Sequence, residues 1–373
     1  MRMLLLCLFV ALCLGGLWGI YRTPANSPVE TDLHLSTLPQ AHGDEPNLVA
    51  VQPWLEQGHY QSAAHLRERL AAYLDAARDG GALTEGSIVV FPEHAGTWLV
   101  ASGAPAASFG AGTTAGAMAP LLIASPLPFL GALINSDETD RVEAAIFRMR
   151  APRMARDYQT VFGGLAEEYG VTVVAGSIVL PDPAIENGAL RLRQGPLYNT
   201  TAVFNPDGTI APALVRKTNP IPSEAGFTAS WPAENLPVFE TPAGRLGVLI
   251  CADSWHPELY ASLASGGAEI VAVPAFLQPS DIWNEAWHGY TTGWPEDVAP
   301  EAAEDVTEGE AWMTHALAGR MPDSGARFGA TAFLRGNLWD LGSDGANILV
   351  TEDGAVIDGD LTGASISVLP LTR

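Results

Sequence analysis

Short apolar runs alternate along this chain with segments of helical periodicity, and this alternation constrains the fold most strongly. The runs Ser87–Phe91, Val171–Val179 and Arg245–Ile250 are apolar at nearly every position, as expected for strands in a sheet that is covered on both faces. A helix with one apolar face is predicted from about Tyr60 to Arg78. Strands that alternate with helices in this way indicate an α/β architecture.

The N-terminus differs from the rest of the chain. An unbroken apolar run covers Met3–Ile20 and is bounded by arginines, so we predict a signal peptide or membrane anchor over residues 1–22 and an exported protein. No clear small-x-small cleavage site follows the run, which favours an uncleaved anchor over a cleaved signal; the protein is expected to be membrane-anchored, or periplasmic or extracellular. Residues 23–45 are rich in Pro, Ser, Thr and His and are expected to form a linker. The folded domain is therefore predicted to cover residues 46–373.

The charge balance and the number of cysteines limit the functions that this chain can have. The chain has 42 acidic and 19 basic residues, a formal net charge of −23 and no Lys/Arg-rich patch, which argues against nucleic-acid binding. Cys7 and Cys13 lie in the predicted export segment, so Cys251 is the single cysteine of the predicted domain. Its thiol is therefore either a buried core group or a nucleophile.

The signatures of several other enzyme classes are missing from the sequence. Residues 110–116 (GAGTTAG) lack the GxGxxG spacing of a dinucleotide site, and there is no GxxxxGK[ST] phosphate loop. The 8 histidines form no HExxH motif and no close pair with a cysteine, so we expect no metal site. There is no GxSxG elbow of a serine hydrolase. His94 and His256 lack an evident orienting Asn or Asp, so neither is predicted to activate a thiol.

Polar side chains follow three of the predicted strands at the point where each strand ends. Glu93 ends the run VVFPE, Lys217 ends ALVRK and Cys251 ends GVLIC. Residues just past the carboxyl ends of strands gather at the site mouth of α/β sheets. There the carboxylate can accept the thiol proton, the thiolate can attack, and the ammonium can stabilise the thiolate and a developing oxyanion. The pattern predicts a cysteine nucleophile supported by a glutamate and a lysine.

These segments resemble the nitrilase superfamily of carbon–nitrogen hydrolases, whose glutamate, lysine and cysteine occur in this chain order. The segments that carry the resemblance are Phe91–Glu93 (FPE), Val171–Ser177, Tyr198-Asn199, Pro206–Gly208, Lys217–Glu224 (KTNPIPSE) and Cys251–Glu258 (CADSWHPE). Two details depart from the family pattern: the proline of the lysine segment comes one place later, and His256 replaces an aromatic residue. The resemblance runs from about Asn47 to the C-terminus.

The resemblance implies a four-layer α-β-β-α sandwich of the nitrilase type and a hydrolase that needs no metal or organic cofactor. It implies that Glu93 acts as general base on Cys251, whose thiolate attacks a carbonyl or nitrile carbon. Lys217 and the backbone N–H of Ala252 would hold the oxyanion, and Glu224 would orient Lys217. Water would then cleave a thioester on Cys251. Family habit also implies a homodimer.

Two segments interrupt the resemblance. The first, residues 94–136, is called here the apolar arm, because it contains no Asp, Glu, Lys or Arg. Its most apolar part, Met118–Leu133, holds three prolines and cannot form a regular membrane helix. The arm is either packed over the core or placed near the site mouth to meet a membrane or an acyl-bearing substrate. The second segment, residues 279–324, is called the tryptophan insertion; it is either a surface excursion or a loop that covers the substrate.

The leading functional hypothesis is an amidase outside the cytoplasm that acts on a small-molecule amide. Nitrile hydrolysis is one alternative, and N-acyl transfer with a lipid-like partner, as in apolipoprotein N-acyltransferase, is another. The single candidate span argues against acyl transfer of that kind, because that enzyme carries a multi-span domain. A catalytically silent binding protein on the same scaffold is disfavoured by the presence of Glu93, Lys217 and Cys251. Membrane association is expected through residues 3–20 and 94–136.

Overall fold

The computed structural model describes residues 15–16, 18–19, 23–35 and 45–372. The predicted export segment lies largely outside the described residues, so its role as anchor or signal stays a prediction. Among the described helices, none is by itself both long enough and apolar enough to cross a bilayer. Two consecutive helices, Thr114–Ala124 and Pro126–Ile134, reach that length only together, and they meet at an angle of 107°.

In the part of the chain that the structure describes, the strands form two large sheets and one small sheet. The strands are β1 Asn47–Gln52, β2 Trp54–Glu56, β3 Ile88–Val90, β4 Thr172–Glu186, β5 Ala189–Phe204, β6 Ile210–Arg216, β7 Val238–Thr241, β8 Gly244–Val248, β9 Ile270–Ala275, β10 Phe328–Phe333, β11 Arg335–Asn337, β12 Ile348–Thr351, β13 Gly354–Ile357 and β14 Ser365–Pro370. The first 6-stranded sheet has the order β14-β1-β3-β4-β5-β6, and the second has the order β13-β12-β10-β9-β8-β7. β11 and β2 form a separate 2-stranded sheet.

Both large sheets have a parallel centre and antiparallel edges. β1, β3 and β4 run parallel in the first sheet, and β8, β9 and β10 run parallel in the second. The flanking pairs β1–β14, β4–β5, β7–β8 and β10–β12 are antiparallel. The parallel register brings the carboxyl ends of neighbouring central strands to the same edge of each sheet.

Helices cover the outer face of each sheet. They are α1 Ala63–Asp79, α2 Ala106–Phe109, α3 Thr114–Ala124, α4 Pro126–Ile134, α5 Arg141–Tyr169, α6 Pro257–Ser265, α7 Glu308–His315 and α8 Leu317–Ser324. Leu48 and Ala50 of β1 belong to the core that the two sheets share, whereas Val49 and Val51 pack in the core with α1 and α5. β1 contacts β10 across the sheet interface, and α8 contacts β10 and β12 from the opposite side. The predicted four-layer α-β-β-α sandwich is confirmed.

The helix boundaries differ from the sequence expectation for local reasons. α1 begins at Ala63 and not near Tyr60, because the Ser62 hydroxyl caps it by accepting the backbone N–H of His65 at 3.2 Å. α5 begins at Arg141 and continues through Pro152, although local propensity disfavours proline inside a helix. Its upstream half is helical because its small and apolar side chains are buried there against neighbouring elements.

Part of the predicted linker lies against the folded body. The backbone of Leu35 bridges to Ala364, and the hydroxyl of Tyr73 donates to the carbonyl of Leu33 at 2.8 Å. Leu33 and Leu35 also pack against the core of the first sheet. Residues 23–35 are therefore docked and not a free tether, because their leucines meet apolar surface and their backbone finds partners. The predicted domain boundaries stay predictions.

The apolar arm divides into a buried part and an exposed part. Its first turn, Thr97–Ala101, is buried almost throughout. α4 has no buried residue, and its side chains Leu127 and Ile134 are 78% and 75% exposed. The arm is thus packed over the core as far as α3, whose Ala117, Met118 and Leu121 are buried there, and its last helix, α4, presents apolar surface outward.

Candidate active site

A cavity of about 500 Å³ lies beside the carboxyl ends of β3, β8 and β9. Glu93, Cys251 and Ala252 line one part of it. Much of the remaining lining comes from the tryptophan insertion, including Ile282, residues 287–292, Glu308 and Trp312. The tryptophan insertion therefore forms part of the cavity wall, and that it covers a substrate stays a prediction. Of the apolar arm, only His94 lines this cavity among the described residues.

Glu93 is placed by the central strand β3. The pairing of β3 with β4 continues one step further, because the backbone N–H of Phe91 donates to the carbonyl of Val174 at 3.0 Å. The following proline ends the ladder and turns the chain toward the cavity. Glu93 is buried there, and its Oε1 accepts from Lys217 Nζ at 2.8 Å and from Asn199 Nδ2 at 2.9 Å.

Lys217 follows β6, and its side chain is fully buried. Its backbone N–H donates to the carbonyl of Asn199 at 2.8 Å, and its Nζ contacts the carboxylates of both Glu93 and Glu224. Glu224 is held in turn, because its Oε1 accepts the N–H of Ile221 at 3.1 Å and its Oε2 accepts from Asn199 Nδ2 at 3.0 Å. A buried ammonium is tolerated here because two carboxylates compensate its lost hydration.

Cys251 opens a 3₁₀ turn, Cys251–Trp255, shortly after β8. Its φ is +50°, in the left-handed region that side-chain-bearing residues seldom occupy. The buried thiol lies 3.9 Å from the carbonyl oxygen of Phe276 and interacts with the Glu93 carboxylate. It forms no disulfide with any described residue. Strained backbone of this kind concentrates at functional sites, since the surrounding structure has to maintain it.

The charges of the cluster are set by burial and by close partners. Burial raises the pKa of Glu93, but Lys217, His94 and the hydrogen bonds from Lys217 and Cys251 outweigh it and hold the pKa below its ordinary value. Burial lowers the pKa of Lys217, but the carboxylates of Glu224 and Glu93 raise it well above the ordinary value. Burial and the Glu93 charge raise the pKa of Cys251 well above that of a free thiol. The resting site therefore combines an ionised Glu93, a charged Lys217 and a neutral thiol.

The structure brings the predicted residues Glu93, Lys217, Glu224 and Cys251 into one cluster, with Ala252 on the cavity wall. Asn199 was not among the predicted site residues, although one of its amide hydrogens points to each carboxylate. The signal that could have identified it was the Tyr-Asn pair within β5, where a polar side chain is buried inside the strand.

Asp253 is a second residue that holds the site together. Its carboxylate accepts the backbone N–H of Thr218 at 3.1 Å, and that of Asn219 at 2.7 Å. It thereby ties the turn that holds Cys251 to the loop that follows Lys217. Burial raises the pKa of Asp253 to about 7, against the lowering effect of Lys217 and of these donors.

The histidines near the site have different surroundings. His94 Nε2 lies 3.8 Å from Glu93 and 4.0 Å from Glu224, and these three residues offer ligand atoms within 4.8 Å of one another. Lys217 already contacts both carboxylates, so a metal ion would compete with its ammonium for the same oxygens. The expectation of a metal-free site stays a prediction. His256, in place of the family's aromatic, is 2.9 Å from the Thr292 hydroxyl in the tryptophan insertion.

Comparisons with known proteins agree with this arrangement. A sequence model described as carbon-nitrogen hydrolase matches residues 52–297. Omega-amidase NIT2 of Danio rerio is 33% identical over 135 residues, which cover 34% of this chain and 44% of that protein. Probable hydrolase YhcX of Bacillus subtilis is 29% identical over 125 residues, 34% of this chain and 22% of that protein. The chain thus spans less than half the length of these two curated relatives.

A solved structure resembles the whole fold. Nit3 of Saccharomyces cerevisiae, a member of branch 10 of the nitrilase superfamily, aligns with a TM-score of 0.52 at 17% sequence identity. The alignment covers 90% of this chain and 92% of that one. At this identity the likeness concerns the fold and extends over nearly all of both chains.

Proposed function

The chain belongs to the carbon–nitrogen hydrolase family, and we propose that it hydrolyses a small-molecule amide through a thioester on Cys251. Family membership makes it a carbon–nitrogen hydrolase, and an omega-amidase among its relatives supports an amide as substrate. One observation carries the proposal. The buried Glu93 carboxylate interacts with both the Lys217 ammonium and the Cys251 thiol, and the thiol lines an open cavity.

The first half-reaction forms the thioester. Glu93 takes the proton of Cys251 while the sulfur attacks the amide carbon, because the high pKa of the thiol leaves no preformed thiolate. The negative charge that develops on the amide oxygen is stabilised by Lys217 and by the backbone N–H of Ala252. When the C–N bond breaks, Glu93 returns its proton to the departing nitrogen, and ammonia or an amine leaves.

The second half-reaction uses the same groups in reverse order. Glu93 takes a proton from water, the hydroxide oxygen attacks the thioester carbon, and the C–S bond breaks. The proton returns to the sulfur of Cys251, and a carboxylic acid is released. Glu224 has a specific part in both halves: it keeps a negative charge beside Lys217 during the intervals in which Glu93 is protonated. The charge of Lys217 is therefore maintained while it stabilises the oxyanion.

The alternatives differ in what enters or leaves the site. A nitrile would give the same thioester after a first hydration and release ammonia. An N-acyltransferase would resolve the thioester with an amine in place of water. A silent binding protein would take up an amide without forming any adduct. These outcomes separate in a single experiment, since the products and the covalent adduct have different masses.

The test is incubation of the protein with simple aliphatic amides and nitriles, followed by intact-protein mass spectrometry and product analysis. We expect an acyl adduct on the wild-type protein and release of the carboxylic acid. Cys251→Ala should lose both while keeping its thermal midpoint. Glu258→Gln is the matched control, since Glu258 lies in the same motif but does not line the cavity around Cys251. Full turnover by Cys251→Ala would refute the proposed mechanism.

We also propose that the protein is held at a lipid surface outside the cytoplasm, by residues 3–20 and by the apolar arm. The supporting observation is the outer face of α4 and the end of α3. Leu127, Leu130 and Ile134 are spaced three and four residues apart on one helix face, and all are at least half exposed, as is Ile123. A contiguous apolar surface of this kind is rare on soluble monomers and marks a binding face.

Liposome flotation of the chain with residues 3–20 deleted tests the part that the arm plays. We expect residual binding that the triple change Leu127→Ser, Leu130→Ser, Ile134→Ser removes. Val356→Ser with Ile357→Ser is the control, because these side chains are also exposed but lie on β13. Unchanged flotation of the triple variant would refute the role of α4. If neither the deletion protein nor its triple variant binds lipid, and only the triple variant has lost a dimer, the exposed face of α4 would instead bind a second copy of the chain.

A further inference from the structure

The tryptophan insertion gives the cavity a second chemical feature besides the catalytic cluster. The helical turn that begins at Cys251 ends at Trp255, whose ring centroid lies 4.9 Å from that of Trp312. Trp312 Nε1 in turn donates to Glu308 Oε1 at 3.1 Å. Cys251, Trp255, Trp312 and Glu308 all line the same cavity, so a continuous wall joins the nucleophile to a second carboxylate.

Glu308 is only partly satisfied by the protein. It is the first residue of α7, and no described residue donates to its Oε2. Burial among apolar neighbours raises the pKa of Glu308 to about 7, and the Trp312 hydrogen bond only partly opposes this. A carboxylate in such surroundings is costly unless a donor or a cation reaches it. No described lysine or arginine lines this cavity, and of its two lining histidines His94 lies beside Glu93.

Several aromatic side chains line the same cavity as Glu308. Trp255 and Trp287 are stacked at 5.6 Å between centroids, and both line the cavity together with Trp312 and Tyr290. Trp287 also stacks with His315 at 5.1 Å between centroids, so this cluster provides an apolar wall for an alkyl chain and not open ring faces for a cation. The net charge of −23 over the whole chain favours the approach of cations and disfavours anions.

We infer that the substrate amide carries a protonated primary amine, which Glu308 binds while Trp255, Trp287 and Trp312 form the apolar wall along its alkyl spacer. This inference rests on the proposed function, because it names the substrate class of the same site. A primary ammonium fits better than a quaternary one, since Glu308 Oε2 offers a hydrogen-bond acceptor that only an N–H can use. An amide that ends in a carboxylate is rejected, because it would place like charges together inside the cavity.

The test compares four aliphatic amides of equal chain length: hexanamide, and its counterparts that end in an ammonium, a trimethylammonium or a carboxylate group. We expect the wild-type protein to have the highest kcat/KM for the ammonium amide and the lowest for the carboxylate amide. Glu308→Gln should reduce the preference for the ammonium amide over hexanamide by about 10- to 100-fold, mainly through KM. Glu304→Gln, an exposed carboxylate of the same insertion, should leave that preference unchanged.

A binding measurement separates this inference from the proposed function. Pentylammonium chloride is titrated into Cys251→Ala and into Cys251→Ala with Glu308→Gln, and tryptophan fluorescence reports its binding. Weaker binding to the second variant supports the ammonium site even if no amide is hydrolysed, in which case only the proposed function fails. Equal binding to both variants, or an equal effect of Glu308→Gln on all four amides, would overturn the inference.

Discussion

The apolar arm and the tryptophan insertion both interrupt the family pattern, but α4 of the arm exposes its apolar side chains to solvent whereas the insertion buries its tryptophans. In the arm, Leu127 and Ile134 of α4 point outward and are 78% and 75% exposed. In the insertion, Trp283, Trp287 and Trp312 are buried. An apolar composition therefore does not decide whether a segment packs inward or presents a surface. The difference depends on what each side chain finds to contact.

The contacts explain the difference. The buried tryptophans pack against one another and against the second sheet: Trp287 lies 5.6 Å from Trp255, and Trp312 lies 4.9 Å from Phe333 of β10. Trp312 also has a carboxylate acceptor for its indole N–H, which allows complete burial. α4 lies on α5 but has no further layer over it, so its outer leucines meet no partner among the described residues.

The largest effect is expected in the catalytic cluster, at the point where the arm begins. Glu93→Gln keeps the size of the side chain but removes the general base, so kcat should fall by about 10²- to 10⁴-fold. The measurement is kcat with saturating amide, together with a thermal midpoint to show that the fold is kept. Glu285→Gln, an exposed residue of the tryptophan insertion, is the control. A fall of less than tenfold would mean that the catalytic base is another group.

The second prediction tests the contrast between inward and outward side chains directly. Trp312 is 2% exposed and Leu127 is 78% exposed. Trp312→Ala should lower the free energy of unfolding by about 3–5 kcal/mol, because it leaves a cavity in the core. Leu127→Ala should change it by less than about 0.5 kcal/mol. Urea unfolding of both variants measures these changes. Similar losses of unfolding free energy in the two variants would show that the arm and the insertion do not differ in how their apolar side chains are packed.

The third prediction concerns the pH dependence that Glu308 gives to the tryptophan insertion. Its folded-state pKa of about 7 lies above the ordinary value of 4.5, so the folded protein holds this proton more tightly than the unfolded chain. Stability should therefore fall as pH rises from about 4.5 through about 7. Glu308→Gln removes this loss, so its stability relative to wild type should increase between pH 5 and pH 8.5, by about 3 kcal/mol at most.

Urea unfolding at the two pH values measures this change. Glu304→Gln provides the control, since an exposed carboxylate should give the same difference from wild type at both pH values. Pentylammonium, added at pH 8.5, should stabilise the wild-type protein but not Glu308→Gln. An unchanged difference between wild type and Glu308→Gln across this range would show that Glu308 is not buried as described.

The smallest effect is expected on the outward face of the arm. None of the three residues altered in the triple change Leu127→Ser, Leu130→Ser, Ile134→Ser lines the cavity. In buffer without lipid, kcat/KM for a small amide should stay within about twofold of wild type, which corresponds to less than about 0.5 kcal/mol. A much larger loss would place α4 in the catalytic machinery and would weaken the contrast with the tryptophan insertion.

Much of the fold could be predicted from the sequence, because the relevant signals are local. Strands such as β1 and β3 are short runs of apolar residues, and their burial on both faces follows directly from that composition. The positions of Glu93, Lys217 and Cys251 at strand ends are likewise visible along the chain. The start of α5 was not visible, because its upstream half is helical through packing and includes a proline that local propensity disfavours.

The parts of the site that could not be predicted depend on contacts between distant segments. Asn199 reaches Glu93 across 106 positions of the chain, and Asp253 reaches Thr218 across 35. Neither pairing leaves a periodic or compositional trace. Glu308 lies in a segment with many acidic residues, and nothing in the sequence distinguishes it from exposed neighbours such as Glu304.

The sequence by itself determined the chemical groups of this protein: a lone cysteine in the predicted domain, a glutamate and a lysine at strand ends, an arm without charge and an insertion rich in tryptophan. The tertiary structure decided how those groups behave. The Lys217 ammonium keeps Glu93 ionised against the effect of burial, burial and the Glu93 charge keep the thiol neutral, and the second sheet provides the surface on which the tryptophans pack. The physical reason is that charge state and burial depend on the neighbours of a side chain in space, which the order of residues along the chain does not specify.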